Sequence, residues 1–193
     1  MEKRLRNAAA TRDAILRSAI AAFARHGYDG AGVREIAAGA GVTAMLVNRY
    51  FGSKEQLFAE ASAATLEQPV ILSADTVASS APWDDIARKL VEITDPGSDA
   101  LAGFQIMLRS ASSDRAAEIG REQIENHHQQ TMQRLIRRDP VPERAALALA
   151  IVAGVQLLRQ TMGLDALAKA DPETLERLIA PLFRQLIEGD ATN

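Results

Sequence analysis

The sequence predicts an all-α protein of about nine helices, and three observations carry that prediction. Alanine and leucine are abundant while aromatic residues make up only 4% of the chain. No run alternates apolar and polar residues long enough to suggest a strand, and apolar residues recur instead at helical spacing between turn-forming residues. The pattern divides into an N-terminal helix-turn-helix domain over residues 9–66, with its motif at about 32–51, and a helical domain over 67–193.

A first helix is expected from about Thr11 to His26, with Ile15, Ala19, Ala22 and Phe23 on one face. Gly27 is its left-handed terminator, and His26 lies near the negative end of the helix dipole. In the next helix Val33, Ile36, Ala37 and Ala40 fall at helical spacing. Gly41 then supplies the permissive residue of a sharp turn, with Val42 beneath it. Thr43 is the N-cap of the third helix, which carries Leu46, Val47 and Tyr50 inward. Ser53 caps a fourth helix reaching about Leu66, with Lys54 and Glu55 in its first turn.

Pro69 and residues 72–82 interrupt the pattern as a loop. Residues 83–94 are amphipathic through Ile86, Leu90 and Ile93, and Asp95-Pro96-Gly97 ends them as a turn. A strongly apolar helix follows at 98–111, and Asp114 caps a long one to about Arg138. The expected inward stripe of that long helix is Ala117, Gly120, Ile124, His128, Thr131 and Leu135. Residues 139–142, Asp-Pro-Val-Pro, break it. The last two helices, about 143–164 and 172–188, have apolar surfaces wider than one stripe. A helix apolar on every face must be covered on every face, so a second copy of the chain is the expected cover for both. The alternative is a monomer that buries both helices centrally.

Composition narrows the function. The chain has no cysteine, which excludes disulfides and thiolate chemistry and suits a reducing cytoplasm. No secretory signal is visible. The longest uninterrupted apolar stretch, Ala145 to Val155, has 11 residues, where a membrane span needs about 20. Net charge is −3 overall, but residues 1–60 carry +3 and residues 61–193 carry −6. A mildly basic head on an acidic body fits a phosphate-contacting module attached to something else. A helix-turn-helix can place its second helix in the DNA major groove, so double-stranded DNA is the expected partner.

The N-terminal segment resembles the tetracycline-repressor (TetR/AcrR) family of bacterial transcriptional regulators. The resemblance rests on TRDAIL from Thr11, on FARHGYDG, on VREIAAGAGV through the turn, and on YFGSKEQLF ending at Phe58. The stretch LLRQTMGLDALAKADPETLERLIAPLFRQLIEG is also similar to a C-terminal type found in actinobacterial members. The resemblance implies a cytoplasmic homodimer joined through its last two helices, with two recognition helices in successive major grooves of a palindromic operator. It also implies repression relieved by a small-molecule effector that binds in the C-terminal domain.

Specific residues follow. Lys54, with the free N–H groups of the helix start after Ser53, makes a phosphate site on physical grounds, and the family uses the matching lysine that way. Arg34 opens the second helix, where it can reach DNA or pair with Glu35 or another acid. Thr43, Ala44, Met45, Asn48 and Arg49 are left outside when the third helix packs. Asn can pair with adenine, Arg with guanine, and Ala or Met can meet a thymine methyl. Met45 and Asn48 depart from the family's usual Gly and Tyr, so whether Asn48 or Arg49 reads bases stays open. Ala31-Gly32 replaces the usual Thr/Ser pair, removing a hydroxyl cap. Tyr50 fits a core role, a phosphate contact, or both. In the N-terminal arm, Lys3, Arg4, Arg6 and Arg12 form either a solvated tail or a minor-groove contact.

The expected effector pocket is mostly apolar with few polar groups. Its candidates are Trp83, Phe104, Met107, His128, Thr131, Met132, Gln156 and Arg159. No cofactor is expected. No metal is either, because adjacent His127 and His128 lie on different helix faces. Two other functions compete. One is a DNA-bound scaffold without an effector. The other is an all-helical enzyme, for which the sequence offers no GxSxG, phosphate-binding Gly loop, dinucleotide fingerprint or HExxH.

Overall fold

The computed structural model describes residues 2–66, 70–98 and 101–189, with side chains from residue 8 onward. Among these the chain is helical and forms no strand. It divides into two compact units, residues 1–67 with 101–123, and residues 68–100 with 124–193. The segment 101–123 thus packs with the N-terminal helices. The Pro69 break and the side chains of Lys3, Arg4 and Arg6 lie outside the described residues.

The first unit holds α1 (Glu2–Gly30), α2 (Val33–Gly39), α3 (Ala44–Phe51), α4 (Lys54–Ala64), α7 (Ala102–Ser110) and α8 (Asp114–Gln123). Helix α1 starts earlier than the sequence predicts, and Gly27, at φ +67° and ψ −176°, breaks it as the left-handed residue expected there, with one further turn to Gly30. The residue must be glycine for a second reason: a Cβ there would lie 2.3 Å from the Arg109 carbonyl oxygen of α7. Immediately after the kink, the Tyr28 N–H donates to Ser110 Oγ at 2.9 Å. The core gathers the expected Ile15, Ala19, Ala22 and Phe23 with Ile36, Val47, Leu57 and Ile106. Phe58 packs edge-on against Phe23 (5.1 Å) and Tyr28 (5.0 Å).

The second unit holds α5 (Ala74–Ala78), α6 (Pro82–Ile93), α9 (Gln130–Gln133), α10 (Val141–Val155), α11 (Asp165–Ala168) and α12 (Pro172–Glu188). Two π-helical turns, Ile124–Gln129 and Gln156–Thr161, continue α8 into α9 and extend α10. Helix α5 forms where the sequence predicts loop, and α11 is a short helix between the last two predicted ones. Asp171 caps α12, accepting from the Thr174 N–H at 2.9 Å. The core runs through Ile86, Leu90, Met132, Leu135, Ala148 and Phe183.

The stripe expected along 114–138 is corrected by the structure. Ala116, Ile119, Met132, Leu135 and Ile136 are buried, while Ala117 is exposed and His128 and Thr131 are half-buried. Ala116 and Ile119 join the core of the first unit while Met132, Leu135 and Ile136 join that of the second, so a single straight stripe cannot describe both halves of the segment.

The run Val141–Thr161 has 21 residues at a mean hydropathy of 1.5, long and apolar enough to cross a bilayer. It is fastened to the unit by polar contacts. Arg144 Nη1 donates to the Gln185 carbonyl at 2.9 Å, and Arg159, only 2% exposed, reaches into the C-terminal end of α6. The outer faces of the last helices remain uncovered within one chain: Leu147 is 57%, Leu178 63% and Leu182 47% exposed.

Candidate nucleic-acid interface

The helix-turn-helix is built by local rules. Gly32 precedes α2 without any side-chain cap, as Ala31-Gly32 implies. Gly41 turns the chain at φ +67°. Thr43 Oγ1 accepts from the Leu46 N–H at 3.3 Å and Ser53 Oγ from the Gln56 N–H at 3.0 Å, so both predicted caps are in place. Ser18 of α1 donates to the Ile36 carbonyl at 2.8 Å and ties α2 down.

Burial then sorts the faces of α3. Val47 and Phe51 are buried, whereas Leu46 and Tyr50 are only half-buried. Phe51 therefore takes the core position expected of Tyr50, because residues 47 and 51 are one i, i+4 step apart on the inner face. The Arg12 guanidinium lies 4.8 Å above the Phe51 ring while pairing with Glu60 of α4. The opposite stripe, Met45, Asn48 and Arg49, is exposed, Met45 by 80%. Thr43 is exposed and Ala44 half-buried at the same end. On α2, Glu35 lies 3.2 Å from His26, and Arg34 is exposed with no ion pair among the described residues.

Lys54 stands at the first turn of α4. Its ammonium sits 4.8 Å over the Tyr28 ring and donates to the Asp29 carbonyl at 3.5 Å. The first N–H groups of a helix have no intrahelical acceptor, so the ammonium and the start of α4 form one electropositive edge. The neighbouring Glu55 would repel a phosphate there, but Arg115 of α8 takes its carboxylate at 2.5 Å and also pairs with Glu118. The Arg115 hydrogen bond holds the Glu55 carboxyl below its usual range, and the same two acids raise Arg115. Arg115 is the participant that sequence reasoning missed, since nothing in a chain separation of 60 residues signals the pairing.

The eight effector-pocket candidates fall in both units. Phe104 and Met107 belong to the first, buried and half-buried in α7. Trp83, His128, Thr131, Met132, Gln156 and Arg159 belong to the second. Met132 and Gln156 are buried, and Trp83 lies 5.4 Å beneath the Arg184 guanidinium. Burial, and then His127, push the His128 imidazole below its ordinary value. Arg159 donates through Nη1 to the Val91 carbonyl and Thr94 Oγ1 (2.9 Å), and through Nε to the Leu167 carbonyl (3.2 Å). The second unit also has a cavity of about 690 Å³ lined by Arg137, Arg138 and Arg184 among others, and none of the eight candidates lines it.

Comparison with known proteins places this geometry. A family model described as bacterial regulatory proteins, tetR family, matches residues 15–61, and one described as tetracyclin repressor-like, C-terminal domain, matches 84–187. No curated protein matches the chain. Among solved structures, a transcriptional regulator from Rhodococcus sp. Rha1 is 26% identical, over 91% of this chain and 95% of that one, with a TM-score of 0.59. A TetR-family regulator from Streptomyces coelicolor A3 is 23% identical over 93% and 95%, at 0.58. The multidrug binding protein EbrR, solved with ethidium, is 19% identical over 89% and 98%, at 0.66.

Proposed function

The chain belongs to the TetR family of bacterial regulatory proteins, and on that premise we propose that it is a cytoplasmic homodimeric repressor, released from a palindromic operator by a small molecule. The observation that carries this reading is the exposed stripe of Met45, Asn48 and Arg49 on α3, together with exposed Arg34 on α2 and Lys54 at the start of α4. Side chains on one outer helical stripe can meet base edges together, while Lys54 and the N–H groups beside it take a phosphate and set the register. Thr43, Ala44 and Tyr50 border the same surface and complete the proposed contact set.

The exposed leucines of α10 and α12 support dimerisation. Leu147, Leu178 and Leu182 are more than a third exposed in one chain, and a second copy would remove them from water. Two-fold symmetry then sets two α3 helices about 34–36 Å apart, one turn of DNA. The effector is assigned to the second unit, where half-buried His128 and Thr131 and buried Gln156 offer the few polar groups of a mostly apolar site. An effector shifts the operator equilibrium only by its difference in affinity for the DNA-fitting and DNA-missing spacings.

Selection of bound sequences from random duplex DNA tests the reading. A two-fold symmetric consensus with half-sites one helical turn apart is the expected result. An asymmetric consensus, or enrichment of none, contradicts it.

A further inference from the structure

Apart from the DNA-facing residues, we propose that the second unit has a binding site for a small multivalent oxyanion, bearing phosphate or several carboxylates. It is the cavity at the C-terminal end of α12, with Arg137, Arg138 and Arg184 as its anion-holding groups. The cavity is about 690 Å³, inside the range of about 300–1,000 Å³ typical of small-ligand sites.

Charge is the first argument. Three guanidiniums and one carboxylate, Glu188, line this wall, in a part of the sequence whose balance is otherwise acidic. Glu188 is occupied by Arg184, whose Nε donates to it at 2.9 Å. Arg137 and Arg138 have no ion pair among the described residues. The nearest negative feature of the backbone, the carbonyl end of α12, is already served by other donors. Arg144 Nη1 donates to the Gln185 and Leu186 carbonyls at 2.9 and 3.4 Å, and the Arg137 backbone N–H to the Ile187 carbonyl at 3.0 Å. The negative end of the helix dipole is thus compensated without using the guanidiniums of Arg137 and Arg138.

Preorganisation is the second argument. A lone surface arginine is normally a solvated, mobile cation, but Arg184 is positioned and the Arg138 stem lies close along the chain. Arg184 is held between the Trp83 ring, 5.4 Å from its guanidinium carbon, and Glu188. Arg138 runs past Gly189, which turns the chain at φ +80°; a Cβ there would come within 2.9 Å of Arg138 Cδ. Planar guanidinium forks suit the paired oxygens of phosphates and carboxylates, and three arginines line this one cavity.

The site does not depend on the regulatory reading, and its test is separate. Full-length protein is titrated by calorimetry with sodium pyrophosphate and, in a second arm, with sodium citrate, at constant ionic strength. Saturable binding of at least one of them, at one site per chain, is expected, and the arm that binds more tightly assigns phosphate or carboxylate chemistry. The Arg137→Gln/Arg138→Gln variant should weaken that binding by about tenfold or more, the equivalent of one charge-assisted hydrogen bond. Should that variant lose its helical circular dichroism, Arg138→Gln alone repeats the test. Trp83 is the only tryptophan, so its fluorescence should change with the same midpoint as the heat, because the anion draws on Arg184. Absence of binding in both arms overturns the proposal. So does binding that the variants leave unchanged, which would place the anion on the DNA-facing surface, or a fluorescence midpoint that differs from the calorimetric one.

Discussion

Replacing Lys54 with alanine should weaken operator binding in a way that depends on salt and not on sequence. The structure supplies the magnitude. Lys54 is already placed at the start of α4 by the Tyr28 ring and the Asp29 carbonyl, and Glu55 beside it is neutralised by Arg115. One phosphate per half-site is therefore its expected share, two in a dimer. Each neutralised phosphate contributes about 0.9 to the slope of log affinity against log salt, so the variant's slope should be shallower by about 1.8. Between 50 and 200 mM salt that difference amounts to about a tenfold narrowing of the gap between wild type and variant. Fluorescence anisotropy on the selected operator and on a scrambled duplex, across that salt range, measures it. The loss should be equal on both duplexes. Unchanged slope, or a loss confined to the operator, would refute the phosphate assignment. Protein stability should move little, because the cation–π contact removed is worth about 0.5–1 kcal/mol at an exposed site.

Three other outcomes are expected. Gly27→Ala should destabilise the first unit by about 2–4 kcal/mol in urea denaturation, from the strained backbone and the collision with the Arg109 carbonyl; a variant as stable as wild type would mean that α1 and α7 separate at little cost. Arg115→Ala should weaken DNA binding by exposing the Glu55 charge beside Lys54, and Glu55→Gln in the same chain should restore it. If the double variant binds no better than Arg115→Ala alone, Arg115 acts through packing rather than charge. Leu178→Glu, on an exposed side chain, should change monomer stability by no more than about 0.5 kcal/mol while converting the dimer to monomer in light scattering and abolishing operator binding. A dimer that survives would shift the interface away from this face of α12.

Much of this protein was legible in order along the chain. The caps at Thr43 and Ser53, the turn at Gly41 and the buried positions Ile15, Ala19 and Phe23 all stand where spacing predicts. Such features are decided within three or four residues, by whether a side-chain oxygen can reach the N–H three positions on, or whether a backbone needs positive φ. The exposed face of α3 was legible for the same reason.

Choices among distant partners were not. That Glu55 answers to Arg115, that Gly27 is pressed against the Arg109 carbonyl, and that Phe51 rather than Tyr50 fills the core depend on which helices meet. The segment 114–138 gives its buried residues to two different cores, and the pairing of Arg144 with the end of α12 leaves Arg137 and Arg138 to line a cavity. Local chemistry by itself determined the helical class, the caps and turn of the helix-turn-helix and the exposed face of α3. The partners of its charges and the phase of its buried stripes were decided only by tertiary packing, because an ion pair or a close backbone approach is a property of two surfaces brought together and leaves no periodic trace in either one.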